Sequence, residues 1–338
     1  MKAHTRTAGL GMTPALKAHL MVLAGAVCIS FAAFFVKDAP MDPSMVAFYR
    51  LLFGSAALFA VAVIRGERLI PSKPALSIIM LAGFLFCCDL LTWHASIVLV
   101  GPGIATILAN FQVLFLAIYG VVFLKERMSF AQKAAIPLAL IGLSLLLGLH
   151  EKALPQDVWR GVGLCLLSAL FYTGYILTLR RSQSMKVRLG PVANMAWVSF
   201  FACVFVCVFC AGKGISFEIP DVRTVIVLAA LGVLCQSLGW LLLSLGLPHL
   251  PPFRAGLIML TQPALAYTWD VIFYGTATNL VNVGGAVFAI VAIGLGILSR
   301  PKPSAGTEPE DEPMLRASMH PAGESGRLEP IRDDRDDS

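Results

Sequence analysis

Long apolar runs follow one another along most of this chain, and they constrain its fold more than any other feature. A helix that crosses the hydrocarbon core of a bilayer needs roughly 20 predominantly apolar residues. Backbone polar groups within lipid must be satisfied inside the segment, and the runs lack the alternation typical of a β-barrel, so we expect helices. Ten such runs are separated by polar residues or by Pro and Gly: 18–36, 45–64, 76–98, 103–124, 132–149, 160–180, 191–211, 223–246, 254–274 and 280–298.

Composition excludes several classes of protein. Of the 338 residues, 57% are hydrophobic and 14% are charged, whereas soluble domains are about 45–50% apolar and about 25% charged. A soluble enzyme is therefore excluded, and so is a secreted disulfide scaffold, because all eight cysteines lie inside apolar runs. The net charge of +6 is not gathered into a basic face, so we expect no nucleic-acid partner. Cys203, Cys207 and Cys210 share a helical face, but no His, Asp or Glu accompanies them, which favours packing over a metal site.

The two ends of the chain differ from its apolar centre. In residues 301–338 five basic residues accompany ten acidic ones, whereas residues 1–300 hold 21 basic and 10 acidic residues. The segment 301–338 has almost nothing apolar to bury, so we expect a disordered, acidic, cytoplasmic tail. Residues 1–17 are predicted to be a cytoplasmic segment before the first span. A signal peptide is disfavoured, because no clear small-residue cleavage site follows the first apolar run.

Basic residues near the span ends predict the orientation. If the N-terminus is cytoplasmic, the segments on that side hold 16 Lys and Arg residues and the opposite segments hold five. This bias predicts an even number of spans, with both termini in the cytoplasm. The linker 150–159 then separates two five-helix repeats, 18–149 and 160–300. An odd number of spans per repeat inverts one relative to the other, so we predict an all-α membrane protein built from two inverted five-helix repeats.

Several motifs resemble those of the EamA-type transporters of the drug/metabolite transporter superfamily. They are the stretches 109–115, 123–129 (with Glu126-Arg127-Met128-Ser129), 48–50 and 261–264 (Thr-Gln-Pro-Ala). The chain departs from the family at Gln112-Val113, where many members have Pro, and at 274–276, where a Glu often stands. The resemblance covers residues 18–300 and implies the family architecture and secondary transport. It leaves the cargo open, because the family moves amino acids, nucleobases, vitamins and dyes.

Ionisable residues within membrane spans are costly and mark functional sites by default. The predicted spans contain Arg50, Asp89, His94 and Asp270. Two interpretations remain open. In the first, Arg50 and Asp89 form a structural ion pair that joins two spans. In the second, Asp89 or Asp270 binds a proton in exchange for a cationic or zwitterionic substrate. His94 could relay that proton, because an unperturbed imidazole titrates near neutral pH.

Polar and aromatic residues extend this candidate site. Trp93 lies one helical turn from Asp89 on the same face, so the two could hold a cation or planar ligand, with ordinary packing as the alternative. Gln112 and Gln262 either bond to each other across the repeats or line the pathway. The aromatic candidates could line a cavity, or anchor the span ends at the membrane interface. The complete predicted substrate-binding set is Arg50, Asp89, Trp93, His94, Gln112, Tyr175, Trp240, Gln262, Tyr267 and Asp270, with Tyr172 as a weaker candidate.

We therefore expect a secondary transporter in the cytoplasmic membrane for a small polar metabolite, resembling an amino acid, vitamin or nucleobase. The expected mechanism is proton-coupled export by alternating access. An importer of the same fold is the alternative, followed by a membrane-embedded scaffold or enzyme. We expect no enzymatic activity and no cofactor, because the sequence has neither a phosphate-binding glycine loop nor a metalloprotease motif. The expected partners are a small-molecule substrate, protons and the lipid bilayer, and a homodimer is left open.

Overall fold

The structure is a computed structural model that describes residues 14–123, 130–146, 155–184, 189–246, 249, 258 and 261–298. The regular structure of these residues is helical, without β-strands. The predicted acidic tail at 301–338, most of the N-terminal segment and half of the linker, 150–154, lie outside the described residues.

The helices have the following bounds. In the first part of the chain they are α1 Pro14–Ser30, α2 Ala32–Asp38, α3 Pro43–Ile64, α4 Lys73–Val100, α5 Pro102–Ala109, α6 Gln112–Phe123 and α7 Phe130–Leu146. In the second part they are α8 Gln156–Ser184, α9 Pro191–Gly212, α10 Val222–Ala230, the π-helical segment Leu231–Gly239, α11 Trp240–Gly246, α12 Thr261–Tyr274 and α13 Leu280–Leu298.

Six helical stretches among the described residues are long and apolar enough to cross a membrane. They coincide within a few residues with six of the predicted spans, and they are Leu16–Asp38, Pro43–Ile64, Lys73–Val100, Gln156–Leu179, Pro191–Gly212 and Val222–Leu243. Shorter apolar helices occupy Pro102–Leu116 and Leu280–Ala292. The expectation of an all-helical, multi-pass membrane protein is confirmed, whereas the count of ten spans stays a prediction.

Helix starts follow from local sequence. Asp42 precedes α3 and accepts a hydrogen bond from the Ser44 amide at 2.8 Å. Asp221 does the same for α10, accepting from the Thr224 amide at 2.7 Å. Carboxylates at this position satisfy amide groups that have no partner within the helix. Pro occupies the first or second position of α3, α4, α5 and α9, where its missing N–H costs nothing.

Irregularities interrupt three of the predicted spans, and the first is at Phe31, between α1 and α2. The predicted span 103–124 is broken at Asn110 and Phe111, between α5 and α6. The Asn110 side-chain amide donates to the Thr106 carbonyl at 2.8 Å, and Asn competes with the helical hydrogen-bond ladder in this way. The predicted span 223–246 contains the π-helical segment, a geometry that is rare and frequently found at functional sites.

Close backbone contact joins α3 to the π-helical segment. A Cβ atom placed on Gly232 would lie 2.6 Å from the Phe53 Cβ and 3.0 Å from the Arg50 carbonyl oxygen. A Cβ atom on Gly54 would lie 2.5 Å from the Gln236 Cγ. Membrane helices use such small residues to approach each other closely. The glycines therefore bring the side chains of Arg50 and Gln236 together.

We predict that Gly54→Val destabilises the protein, because the added carbon atoms have to displace Gln236. Overpacking of this kind costs about 1–3 kcal/mol. Gly163→Val is the matched control, since nothing lies within 4 Å of a Cβ atom at that position of α8. Thermal unfolding of the purified variants in detergent checks the prediction. Equal melting temperatures for the two variants would contradict the close packing of α3.

Candidate functional site

A cavity of about 110 Å³ lies among α1, α2, α3, α4, α5, α6, α8, α11 and α12. Six of the ten predicted site residues line it: Arg50, Asp89, Trp93, Gln112, Trp240 and Gln262. The remaining lining residues are Ile29, Ala32, Phe86, Leu90, Thr106, Ala109, Asn110, Tyr172 and Leu243. The cavity thus combines a few polar and charged groups with apolar and aromatic walls, which is the composition of small-molecule sites.

Arg50 supplies the positive charge of the cavity from α3. Its side chain is only 4% exposed, and its Nε donates to the Gln236 Oε1 at 3.0 Å. The Gln236 Nε2 donates in turn to the Ser199 Oγ at 3.3 Å. A buried guanidinium loses several kcal/mol of hydration. The two-step relay through Gln236 to α9 offsets part of that loss and fixes the orientation of the guanidinium.

Asp89 supplies the negative charge from α4. It is 5% exposed, and its Oδ1 accepts a hydrogen bond from the Ser168 Oγ at 2.6 Å. Although Arg50 and Asp89 line the same cavity, no ion pair joins them among the described residues. The interpretation of a structural ion pair therefore does not describe this structure. Each charge is held by its own neutral partner, Gln236 or Ser168, and faces the cavity.

Three polar atoms at the cavity residues lack hydrogen-bond partners in the part of the chain that the structure describes. They are the Nη1 of Arg50, the Nε1 of Trp93 and the Oε1 of Gln112, and all three are buried. The Arg50 guanidinium carbon lies 5.6 Å from the centre of the Trp93 ring. Buried polar atoms are nearly always paired, so unpaired ones at a cavity indicate a ligand or water site.

Gln262 and Trp240 also lie at the cavity. Gln262 lines it from α12 and Trp240 from α11. No hydrogen bond joins Gln112 to Gln262 among the described residues. Of the two interpretations of these glutamines, the geometry agrees with lining residues rather than with a hydrogen-bonded pair between the repeats.

His94 and Tyr175 do not line the cavity. His94 is fully buried, and its Nδ1 lies 3.1 Å from the Pro43 carbonyl oxygen. It points away because it is five residues from Asp89 on the same helix, more than a quarter turn around the axis. Tyr175 stacks on Phe86 with 4.7 Å between ring centres. Phe86 lines the cavity, so Tyr175 supports its wall from behind.

Asp270 and Tyr267 belong to a second polar cluster. Asp270 is 1% exposed, accepts a hydrogen bond from the Gly103 amide at 3.1 Å, and lies 3.6 Å from the Lys37 Nζ. The Tyr267 hydroxyl is 2.9 Å from the Thr278 Oγ1. This arrangement ties the start of α5 to α2 and α12, since a carboxylate is favourable at a helix N-terminus.

Sequence reasoning missed three polar residues that the structure places at the site. Gln236 holds Arg50, Ser168 holds Asp89, and Asn110 lines the cavity at the break between α5 and α6. Gln236 had a usable signal, because an uncharged amide in the middle of an apolar span needs a partner in lipid. Ser168 had no such signal in the sequence. A single Ser in a membrane helix can donate its hydrogen bond to the backbone of its own helix as well as to a distant partner.

The fold and this site define a multi-pass helical membrane protein with a charged cavity among its helices. The family model of the EamA-like transporter family matches residues 16–148 and again 159–298. The chain therefore belongs to the EamA-like transporter family and carries two EamA repeats, as its motifs implied. It is a membrane transporter by family and fold.

Two individual proteins are similar to this chain. It is 24% identical over 261 residues to protein PagO of Salmonella typhimurium (strain LT2), a match that covers 75% of this chain and 83% of the relative. A solved crystal structure of a protein has a TM-score of 0.61 and 17% identity, covering 82% of this chain and 95% of that one. This second likeness supports the fold alone.

We predict that Gln236→Leu lowers the melting temperature, because it leaves the buried Arg50 guanidinium without its acceptor. Hydrogen bonds to charged groups contribute about 1.5–3 kcal/mol. Ser199→Ala removes only the outer bond of the relay and should cost about 0.5–1.5 kcal/mol. Thermal unfolding in detergent compares the two variants. A Gln236→Leu protein as stable as Ser199→Ala would mean that Gln236 does not hold the guanidinium.

Proposed function

We propose that this protein is a secondary transporter that moves a small polar metabolite across the cytoplasmic membrane by alternating access, coupled to protons and in the direction of export. The observation that carries the proposal is the cavity in which Arg50 and Asp89 are both buried without pairing to each other. A purely structural role would pair these charges, because an unpaired buried charge is expensive.

The proposed topology has ten spans in two inverted repeats, 18–149 and 160–300, joined by the linker 150–159. Two family domains in one chain and the six long apolar helices support it. The excess of Lys and Arg, 16 against five, supports a cytoplasmic location of both termini. Inverted repeats put the substrate site at their interface near the bilayer midplane, and residues of both repeats line this cavity.

The proposed substrate site consists of the predicted residues that line the cavity: Arg50, Asp89, Trp93, Gln112, Trp240 and Gln262. Tyr175 positions the aromatic wall through Phe86. His94, Tyr267 and Asp270 are assigned to helix packing around the site rather than to substrate contact, because each has its own partner outside the cavity. This division revises the full set that the sequence suggested.

Asp89 is the proposed proton carrier. It is the carboxyl group that lines the cavity, and intramembrane carboxyl groups form the proton relays of transporters. A proton and a positively charged or hydrogen-bond-donating part of the substrate would compete for its oxygens. Export follows when the proton enters from outside and replaces the substrate.

The direction of export rests on analogy with the family. An importer of the same fold is the second candidate for direction. A scaffold is disfavoured because a scaffold gains nothing from two buried, separately held charges in one cavity.

We predict that Asp89→Asn abolishes proton-driven transport. The test supplies a mixed metabolite pool outside liposomes that contain the purified protein, makes the lumen one pH unit more acidic, and follows the lumen by mass spectrometry. One proton per substrate sustains up to about tenfold accumulation under this gradient. The wild type should accumulate one compound in the lumen. The Asp89→Asn variant should only let that compound reach equal concentrations inside and outside.

Asp157→Asn is the matched control, because Asp157 is exposed and pairs with Arg160 at the surface. It should accumulate the compound like the wild type. Gradient-driven accumulation that persists in Asp89→Asn would overturn proton coupling through this residue. A wild-type protein that moves nothing from a broad pool would overturn the transport proposal as framed.

We also predict that removal of residues 303–338 leaves transport intact. This acidic segment has little apolar surface to pack against the membrane part. The same liposome assay compares the truncated and full chains at equal protein content. A large loss of transport in the truncated protein would show that the tail takes part in the transport cycle.

A further inference from the structure

We propose, building on the transport function above, that the substrate carries a single carboxylate, which Arg50 and Trp93 bind, and a hydrogen-bond donor, which Gln112 or Asp89 accepts. The inference assigns a chemical class to the cargo. It comes from the chemistry of the polar atoms that line the cavity and from their lack of partners.

The guanidinium of Arg50 is only partly satisfied. A guanidinium has five N–H donors in a planar fork. Its Nε is used by Gln236, whereas its Nη1 is buried and has no partner among the described residues. The bond to Gln236 fixes the plane of the fork. Carboxylates match such a fork with two parallel hydrogen bonds, and these charge-assisted bonds are among the strongest in proteins.

Trp93 adds a second donor next to the guanidinium. The Arg50 guanidinium carbon lies 5.6 Å from the indole ring centre, and the buried indole Nε1 has no described partner. An indole N–H can only donate. Both side chains offer hydrogen-bond donors and no acceptor. The part of the cavity that they form is therefore complementary to an acceptor group of the substrate and unfavourable for an amine.

The charge balance of the cavity favours one negative charge over two. Among the described residues that line it, Arg50 is the basic one, and Asp89 adds a negative charge to the same cavity. A phosphate dianion would have one cation to neutralise two charges and a carboxylate to repel it. A carboxylate has the single charge and the planar shape that Arg50 and Trp93 can satisfy.

Acceptor groups supply the rest of the recognition. The Gln112 Oε1 is buried without a partner among the residues described, and in the same part of the chain the Asp89 carboxylate accepts one hydrogen bond, from Ser168. An ammonium, amide N–H or hydroxyl of the substrate would satisfy them. Phe86, Leu90 and Tyr172 provide an apolar surface for the body of the molecule.

The test measures ligand binding to the purified full-length protein in detergent, by thermal shift and by Trp fluorescence. The probes are a panel of amino and hydroxy carboxylic acids with aliphatic or aromatic bodies, each paired with its primary amide and its methyl ester. Sodium chloride and inorganic phosphate are included at matched ionic strength. We expect at least one acid to bind at least about 30-fold more tightly than its own amide and ester, the low end for loss of a buried charge partner.

Variants assign this preference to the two donors. Trp93→Phe keeps an aromatic ring but removes the N–H, and it should weaken binding of the acid about tenfold, as expected for loss of a charge-assisted bond. The affinity for the amide should fall by a smaller factor, because its neutral carbonyl loses only a weaker hydrogen bond. Trp159→Phe is the matched control, since Trp159 is half exposed at the start of α8 and does not line the cavity. Arg50→Lys retains the positive charge but lacks the planar pair of N–H donors. This variant should bind the acid with a smaller preference over the amide and the ester.

Each outcome separates this inference from the transport proposal. If no acid binds better than its amide, or if chloride or phosphate stabilises the protein as well as the best acid, the carboxylate assignment is wrong even when proton-driven transport is observed. If the acid preference is found and depends on Trp93 while Asp89→Asn still accumulates substrate, the carboxylate site stands and proton coupling through Asp89 fails.

Discussion

The buried guanidinium of Arg50 is the constraint on which the rest of the site depends. A charge in this position has to be held by hydrogen bonds, because the surrounding apolar helices offer it no water. The structure meets that need with Gln236, and it can do so only because Gly54 and Gly232 let α3 and the π-helical segment approach closely. The orientation of the Arg50 guanidinium therefore depends on how closely these two helices pack. The stability of the protein and its binding chemistry are linked for this reason.

Separation of the two charges follows from how the helices are arranged. Asp89 lies on α4 and is held by Ser168 of α8, while Arg50 is held from the opposite direction through Gln236. Each charge thus keeps a neutral partner and a free side toward the cavity. A transporter needs this condition, because a direct ion pair would have to be broken, at a cost of several kcal/mol, before either group could bind a ligand. The neighbouring cluster around Asp270 and Lys37 instead pairs its charges and holds α2, α5 and α12 together.

Much of the fold could be predicted from the apolar runs, and the family from a few short motifs, because lipid permits only a narrow set of backbone structures. Within the site, Asp89 and Trp93 were predicted together because a spacing of four residues sets them on one face. Depth in the membrane alone did not separate His94 and Asp270 from the cavity, since burial says nothing about which neighbour a side chain meets. The break at Asn110 comes with a local bond, from its side chain to the Thr106 carbonyl, whereas the π-helical segment packs closely against α3, a contact between distant parts of the chain that no local pattern contains. The position of Gln236 within an apolar span indicated that its amide needs a partner, but only the structure identifies Arg50 as that partner.

The claim that Arg50 and Asp89 serve the cargo rather than each other is tested most directly by the double variant Arg50→Gln/Asp89→Asn, compared with both single variants for transport and melting temperature. Double-variant comparisons isolate the energy that two groups share. The account predicts that the double variant transports no better than the worse single variant and that the two losses of stability are nearly additive. A double variant that regains the transport and the melting temperature lost in the single variants would contradict it, because only a structural ion pair is restored by removing both of its charges.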